Sequence, residues 1–391
     1  MKKIINLAEV NFILTLAGFG LFTTFIQNSA GSIIYRAFAL LVALLCIFES
    51  KKQKQKHGSM MKVFMTLYYL LVFFCMWDLY VGYYSDTPFT SSRNMAALFV
   101  MGVTFFPVLA FYKTFEKIRW ESTLTILFIV LFFVLAIGQI RGITDEASGR
   151  GSLNTHMTTL GLAELAVYMT LVSTALLKKS SGNRHSKLFK ALIVAGLILG
   201  FLSLGRAASR GPFVAVLIGL SYFIISERVM GKAFALFFIA LMFTMGTLTS
   251  SLFEKFAPVL YNRIVYTIES EDTGGRDALF DNALNTLKEK PITGDVSIML
   301  EPNAMSSCHN MYLDLGLELG VVGGLTFIII SLVLLFWCLT SGAKGKITIE
   351  QCFFAALFMF HIVRGMSGLT LSSCPVLVAT YIGIIWCRER K

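Results

Sequence analysis

Charged residues are scarce in this chain. Asp, Glu, Lys and Arg make up only 15% of its 391 residues, while hydrophobic residues make up 56%. A soluble domain usually has about 25% charged residues, so this composition indicates an integral membrane protein. Acidic residues number 23 against 34 basic ones, which gives a net charge of +11. That charge does not indicate nucleic acid as a partner, because membrane topology accounts for most of it.

Motifs for metal binding and redox chemistry are absent. The seven cysteines form no C-x-x-C pair and no metal-ligand spacing, and most lie in apolar stretches where packing is their expected role. Cys308 and Cys374 fall near the same predicted membrane face, which leaves a disulfide between them open. The outer loops contain no D-x-D pair that would hold a divalent cation beside a phosphate. We therefore expect no metal and no cofactor.

Two further absences narrow the class of membrane protein. The sequence has no internal repeat, which argues against a transporter built from two inverted halves. At the amino terminus, Lys2 and Lys3 precede an apolar stretch, but no A-x-A-like cleavage site follows. The first span is therefore expected to be an uncleaved helix and not a signal peptide.

Long apolar runs predict about twelve transmembrane helices, at about 20 residues for each span. They are expected near residues 10–27, 31–49, 62–82, 94–112, 121–140, 157–177, 188–204, 211–226, 232–251, 311–340, 349–364 and 369–387. An even number of spans puts both termini on the same side.

Lys and Arg are distributed unequally between the two sides. One side holds 22 of the 34 basic residues, 17 Lys and 5 Arg, and the other holds 3 Lys and 9 Arg. The positive-inside rule assigns the Lys-rich side and both termini to the cytoplasm. Arg on the outer side indicates a site for a phosphorylated substrate, because the planar guanidinium binds phosphate through two parallel hydrogen bonds.

This topology divides the chain into three segments. Residues 1–251 hold transmembrane helices 1–9, residues 252–310 form one long loop that caps an active site, and residues 311–391 hold helices 10–12. Within the loop, apolar residues at helical spacing predict an amphipathic helix over 276–289 that lies against the membrane face. These residues are Leu279, Phe280, Ala283, Leu284 and Leu287.

Two outer arginines coincide with predicted helix starts. Arg210 lies in Ser209-Arg210-Gly211-Pro212 at the beginning of span eight, and Arg276 follows Gly274-Gly275 at the head of the loop helix. The free N–H groups at a helix start favour an anion, so both arginines are candidates for binding pyrophosphate. Arg206 is a secondary candidate. The alternative for Arg210 and Arg206 is an interfacial arginine beside lipid headgroups, and the alternative for Arg276 is an ordinary surface arginine.

His309 is the candidate general base. It lies in Cys308-His309-Asn310, where the loop meets span ten, and histidine is the side chain best suited to proton transfer near neutral pH. The alternative is a structural histidine. Secondary candidates are Asn310, Glu318, Arg364 and Asn154. Asp314 and Glu318 lie inside a predicted span, where ionisable groups are candidates for function or for pairing with Arg364.

The order of these motifs resembles the O-antigen ligase family, whose superfamily also contains O-antigen polymerases. The similarity lies in Ser209-Arg210-Gly211, in Arg276 heading a helix that ends in Lys290-Pro291-Ile292-Thr293-Gly294, and in His309-Asn310. Nine residues after Asn310 comes Gly320, and Gly323 follows. The resemblance covers roughly residues 150–370. Asp295-Val296-Ser297 departs from it, because such chains often have further glycines there.

The resemblance implies an all-α polytopic membrane fold and a metal-independent, inverting glycosyltransferase of the bacterial inner membrane, with its active site facing the periplasm. The donor would be a glycan on undecaprenyl pyrophosphate, and the acceptor a sugar hydroxyl of lipid A–core. Arg210 and Arg276 would stabilise the departing pyrophosphate, and His309 would take the acceptor proton. The alternatives are an O-antigen polymerase and a lipid-linked oligosaccharide flippase. A flippase is disfavoured because charge concentrates at one membrane face.

Overall fold

The structure is a computed structural model. It describes residues 5–26, 29–50, 58–85, 104–144, 149–153, 158–181, 187–225, 254–255, 258–270, 276–292, 294, 310–342, 347–366 and 374–390. His309, Asn154, Cys308 and the predicted span 232–251 lie outside the described residues.

Helices account for all regular structure in the described residues, apart from one isolated β-bridge between Thr144 and Gly151. The first span begins with α1 (Leu7–Ile13), continues through a π-helical stretch (Leu14–Gly18) and ends with α2 (Phe19–Phe25). The next helices are α3 (Ser29–Ser50), α4 (Ser59–Ser85), α5 (104–114), α6 (Trp120–Arg141), α7 (Thr159–Ser181), α8 (Lys187–Ala207) and α9 (Arg210–Ile225). They are followed by α10 (Pro258–Ser270), α11 (Arg276–Glu289), α12 (Met311–Gly342), α13 (Ile349–Gly365) and α14 (Pro375–Glu389).

Six helices within the described residues are long and apolar enough to cross a membrane. They are Leu7–Phe25, Ala30–Ser50, Trp120–Arg141, Thr159–Lys179, Lys187–Ala207 and Met311–Ser341. The chain is therefore an all-α, multi-pass membrane protein, as predicted. The total of twelve spans, the side of the loop and the three-segment division stay predictions.

The chain forms two compact units that interleave along the sequence. The first contains Met1–Ala39, Glu116–Asp272 and Cys338–Phe360, and the second contains Leu40–Phe115, Thr273–Trp337 and His361–Lys391.

Helix α7 is the central helix of the first unit, and α6, α8 and α9 pack around it. Two glycines one turn apart on α8 allow this close packing. A Cβ atom on Gly196 would lie 2.5 Å from the ring of Phe128, and one on Gly200 would lie 2.5 Å from the Thr170 hydroxyl. Small residues at such spacing are typical of membrane helices whose backbones approach closely. The packing fixes the carboxyl end of α8, where Arg206 lies.

Helix α12, which contains the candidate span Met311–Ser341 over the expected segment 311–340, is interrupted at Gly320 and bent back on itself. Gly320 has φ 69° and ψ 177°, a conformation open only to glycine, and it interrupts the helix. A Cβ atom on Gly324 would lie 3.2 Å from the Cα of Gly316, and the rings of Tyr312 and Phe327 are 6.2 Å apart. In a continuous helix, residues 316 and 324 would be about 12 Å apart. The segment is therefore a hairpin of α12a (311–319) and α12b (321–342).

Candidate functional site

The first group of predicted residues lies around the turn that joins α8 to α9, which we call the arginine turn (residues 206–210). Ala208 has φ 48°, a left-handed conformation that commonly ends helices and that glycine usually adopts. For alanine this conformation costs about 1–2 kcal/mol. The Ala208 methyl is fully buried beside Leu260 of α10, with Phe213, Val259 and Ile264 around them. Packing against α10 therefore favours alanine at this strained position.

Three successive carbonyl oxygens of the arginine turn, those of residues 206–208, accept hydrogen bonds from other segments. The Arg206 oxygen accepts from the backbone N–H of Gly151 at 2.8 Å. The Ala207 oxygen accepts from Nε of Arg150 at 3.2 Å, and the Ala208 oxygen accepts from Nη1 of Arg263 at 2.8 Å. A helix leaves its last carbonyls without partners inside the helix, so these donors complete the end of α8.

The guanidinium of Arg206 is directed at backbone carbonyls. Its Nη1 donates to the Gly138 oxygen and its Nη2 to the Ile143 oxygen, each at 2.7 Å, where α6 ends. A cation at a helix carboxyl end is favoured by both the hydrogen bonds and the helix dipole. The side chain also fills the space beside Gly151, where a Cβ atom would lie 2.9 Å from the Arg206 Nε. These contacts favour a structural role for Arg206.

Arg210, the first residue of α9, has a different environment. Among the described residues its side chain makes a single hydrogen bond, from Nη1 to the carbonyl of Arg263 at 3.2 Å. It is half-buried, and a guanidinium has five N–H donors, so most of its donors stay available. It lies where the free N–H groups of α9 already favour an anion. Arg210 therefore has the features expected of a phosphate ligand, and Arg206 does not.

Arg276 begins α11, which confirms the predicted amphipathic helix over 276–289. The apolar stripe of α11 packs on α12a, where Ala283 and Leu317 are buried in one cluster. The stripe therefore has a protein partner in the second unit, although Leu284 stays 45% exposed. Because α11 rests on α12a, it fixes the backbone of Arg276 relative to the start of α12a.

The two glycine motifs meet where α11 ends, in a contact that we call the glycine lock (residues 290–294 against 317–321). Gly294 has φ 67°, and a Cβ atom on it would collide with the carbonyl of Leu317. A Cβ atom on Gly320 would collide with the carbonyl of Ile292, and the Val321 N–H donates to the Pro291 oxygen at 2.8 Å. Both positions require glycine for conformation and for space. The lock joins the loop segment to the helical hairpin.

Asn310 caps the hairpin. Its side-chain oxygen accepts from the backbone N–H of Tyr312 at 3.0 Å and of Leu313 at 3.4 Å, the usual geometry of an asparagine N-cap. The amide of Asn310 is therefore engaged by its own helix. His309 immediately precedes this cap in the sequence, so Asn310 fixes the start of the helix to which His309 is attached.

The start of α12a contacts the end of α13 within the second unit. The Tyr312 hydroxyl donates to the carbonyl of Ile362 at 3.4 Å, and a Cβ atom on Gly365 would lie 2.6 Å from the Met311 methyl. This contact brings the predicted residue Arg364 next to the helix that Asn310 caps.

Four ionisable side chains are buried around this junction. Asp314 and Glu318 lie one turn apart on α12a, and His361 and Arg364 lie one turn apart on α13. None is more than 4% exposed. Charges buried to this extent persist only with compensating partners. The burial of Arg364 and Glu318 therefore favours a structural polar network over direct contact with substrate.

Sequence reasoning missed two features of this region. Helix α10 and its Arg263 were not predicted, although Pro258 at a helix start and Leu260 and Ile264 at a four-residue spacing signal a helix. The hairpin at Gly320 was also missed. No group of three or more His, Cys, Asp or Glu side chains that could hold a metal ion occurs in the described part of the chain.

Residues 195–328 match the model of the O-antigen ligase family, and no curated protein matches the chain. The matched region contains the arginine turn, α10, α11 and the glycine lock, whereas Asn154 and Arg364 lie outside it. The match supports the family resemblance found in the sequence: residues 195–328 of this membrane protein are similar to the O-antigen ligase family.

Proposed function

We propose that the protein is an O-antigen ligase, a metal-independent and inverting membrane glycosyltransferase. The donor is a glycan on undecaprenyl pyrophosphate, and the acceptor is a sugar hydroxyl of lipid A–core. The family match over residues 195–328 supports the class of enzyme. The observation that carries the proposal is Arg210, a half-exposed guanidinium at a helix start that makes one hydrogen bond within the described residues.

The reaction forms one bond and breaks one. The acceptor hydroxyl attacks the anomeric carbon of the donor, His309 takes the hydroxyl proton, and the bond between that carbon and the pyrophosphate oxygen breaks. Attack from the opposite side inverts the anomeric carbon. Arg210 and Arg276 stabilise the negative charge that develops on the departing undecaprenyl pyrophosphate.

The proposed setting is the bacterial inner membrane. The twelve-span topology puts both termini in the cytoplasm and residues 252–310 in the periplasm, where both lipid-linked substrates would meet the enzyme. The unequal distribution of Lys and Arg supports this orientation. Reporter fusions after residues 54 and 295 test it, since the first should report cytoplasm and the second periplasm.

An O-antigen polymerase is the second candidate, because the superfamily contains both activities and the two share donor chemistry. The lipopolysaccharide of a deletion strain distinguishes them. Loss of a ligase leaves core without O-antigen and accumulates long lipid-linked polymer. Loss of a polymerase leaves core capped by a single repeat, and that result would overturn the ligase assignment.

Metal independence is a separate prediction of the proposal. Two arginines on the pyrophosphate would supply the charge that Mg²⁺ supplies elsewhere and would compete with such an ion. Purified protein given lipid-linked donor and core acceptor should therefore transfer glycan at full rate in excess EDTA. Activity that disappears with EDTA and returns with Mg²⁺ or Mn²⁺ would contradict the arginine-based mechanism.

A further inference from the structure

Arg263 and Arg210 make a reciprocal contact through side chain and backbone. The Arg263 guanidinium donates to the carbonyl of Ala208 at 2.8 Å, while the backbone carbonyl of Arg263 accepts from the Arg210 guanidinium at 3.2 Å. We propose that Arg263 is a positioning residue that holds the Arg210 guanidinium in the orientation that binds phosphate. This inference rests on the proposed role of Arg210 in binding pyrophosphate.

The Arg263 side chain secures the strained part of the arginine turn. Ala208 is fully buried and has a left-handed backbone conformation, so its carbonyl is cut off from water and needs a donor from the protein. Arg263 supplies that donor. Without it, the turn would relax toward a backbone conformation that alanine prefers, and Arg210, two residues later, would change direction.

The Arg263 backbone carbonyl acts on Arg210 directly. One hydrogen bond from Nη1 restricts a long and otherwise mobile side chain, and it leaves the other donors of the guanidinium for a ligand. Such a restriction increases affinity, because less side-chain freedom is lost when the ligand binds. The arrangement depends on α10 staying docked, which the burial of Leu260 against Ala208 ensures.

Two other roles for Arg263 predict one common result in a double-mutant cycle, and it differs from the result that the proposal predicts. If Arg263 only stabilises α10, its loss should have the same effect whether or not Arg210 is present. If Arg263 binds phosphate independently, the two effects should multiply. If Arg263 acts through Arg210, its loss should matter only when Arg210 is intact.

The experiment measures binding of a short polyprenyl pyrophosphate to purified full-length protein in detergent. The four proteins are the parent, Arg263→Met, Arg210→Lys and the double variant, with polyprenol that lacks pyrophosphate as ligand control. We expect each single variant to bind about tenfold more weakly, and the double variant to bind no more weakly than Arg210→Lys. A hundredfold loss in the double variant would overturn the inference.

Arg141→Met is the matched control. Arg141 also donates from its guanidinium to a backbone carbonyl, that of Thr24, at 2.5 Å, and this acceptor lies outside the arginine turn. It should bind like the parent. Should Arg263→Met fail to fold, Arg263→Lys takes its place in the cycle, with an expected loss of two- to fivefold that again disappears beside Arg210→Lys.

A failure of this inference and a failure of the proposed phosphate role of Arg210 give different results. Arg263→Met that binds like Arg141→Met, while Arg210→Lys is defective, would overturn the inference and leave the proposed function standing. Arg210→Lys that binds and transfers like the parent would overturn the phosphate role of Arg210, and the inference with it.

Discussion

The arginine turn and the glycine lock hold their shapes by different contacts. In the arginine turn, guanidinium groups donate to backbone carbonyls, and the strained residue is an alanine held by packing. In the glycine lock, backbone lies directly on backbone, and no side chain fits at Gly294 or Gly320. Long side chains can be shortened gradually, whereas a glycine offers no smaller alternative. Substitutions in the arginine turn should therefore lower stability by graded amounts, whereas any substitution at Gly294 or Gly320 should cause a large loss of stability.

The proposed phosphate ligand Arg210 lies in the arginine turn, whereas the proposed general base His309 precedes the hairpin that the glycine lock holds, and His309→Ala tests this difference in chemistry most strongly. Loss of a general base typically lowers rate by about 10²–10⁴-fold, and we expect a fall of that size in glycan transfer. Binding of a short polyprenyl pyrophosphate should stay unchanged, because the phosphate ligands are intact.

The measurements are transfer by purified protein and, separately, ligand affinity. Near-parent transfer by His309→Ala at normal expression would remove the base assignment. An equal loss of affinity and rate would mean that His309 binds substrate and does not take its proton.

The glycine lock should be the more sensitive region in stability. Gly320→Ala places alanine in a glycine-only conformation and pushes its methyl into the Ile292 carbonyl. We expect destabilisation of about 3 kcal/mol or more. Gly142→Ala is the matched control, because Gly142 has φ 62° but no atom within 4 Å of the added methyl. It should lose only about 1 kcal/mol.

The stabilities of both variants are compared with that of the parent by their apparent melting temperatures in detergent. If Gly320→Ala melts no lower than Gly142→Ala, the backbone contact with Ile292 contributes nothing and the lock is not rigid.

How much the sequence could predict differs between the two regions. Helix α11 was predicted because its apolar stripe fits one helical face, and the helix start at Arg210 was predicted from a short motif. The hairpin was missed because hydropathy records how apolar a segment is and carries no information about the direction of its backbone. Residues 311–340 are mostly apolar on both sides of Gly320, with Asp314 and Glu318 as the charged exceptions, so a reversal at one glycine leaves the hydropathy signal unchanged.

The roles of the two arginines in the turn could not be separated from sequence. Arg206 and Arg210 lie four residues apart, both at a predicted helix end, and both fit phosphate or lipid headgroups. Their difference depends on Gly138 and Ile143, which are more than sixty positions earlier in the chain and accept the Arg206 hydrogen bonds. Such long-range partners are a property of the fold, and local sequence does not encode them.

The variants Arg210→Lys and Arg206→Lys measure the difference between the roles of the two arginines. A lysine cannot reproduce a bidentate phosphate contact, so Arg210→Lys should lower transfer by about ten- to a hundredfold without loss of stability. Arg206→Lys replaces the two separate guanidinium nitrogens that donate to the Gly138 and Ile143 carbonyls with a single ammonium nitrogen, so it should lose about 1 kcal/mol of stability and keep most of its activity.

Transfer rates and melting temperatures of the two variants are measured side by side. The opposite pattern, with Arg206→Lys stable but inactive, would exchange the roles of these two residues.

The smallest expected effect belongs to the cap of the hairpin. Asn310→Ala removes the acceptor for the N–H groups of Tyr312 and Leu313 and should destabilise the protein by about 1 kcal/mol, with a moderate fall in transfer. Asn310→Ser keeps an N-cap oxygen without the amide, so it should regain most of both losses. The comparison of the two variants separates capping from chemistry, since serine can cap a helix but cannot replace an amide that contacts substrate. If the serine and alanine variants are equally inactive while the serine variant is as stable as the parent, the Asn310 amide acts on the substrate. Asn310 would then take part in the chemistry itself, in addition to fixing the helix start that follows His309.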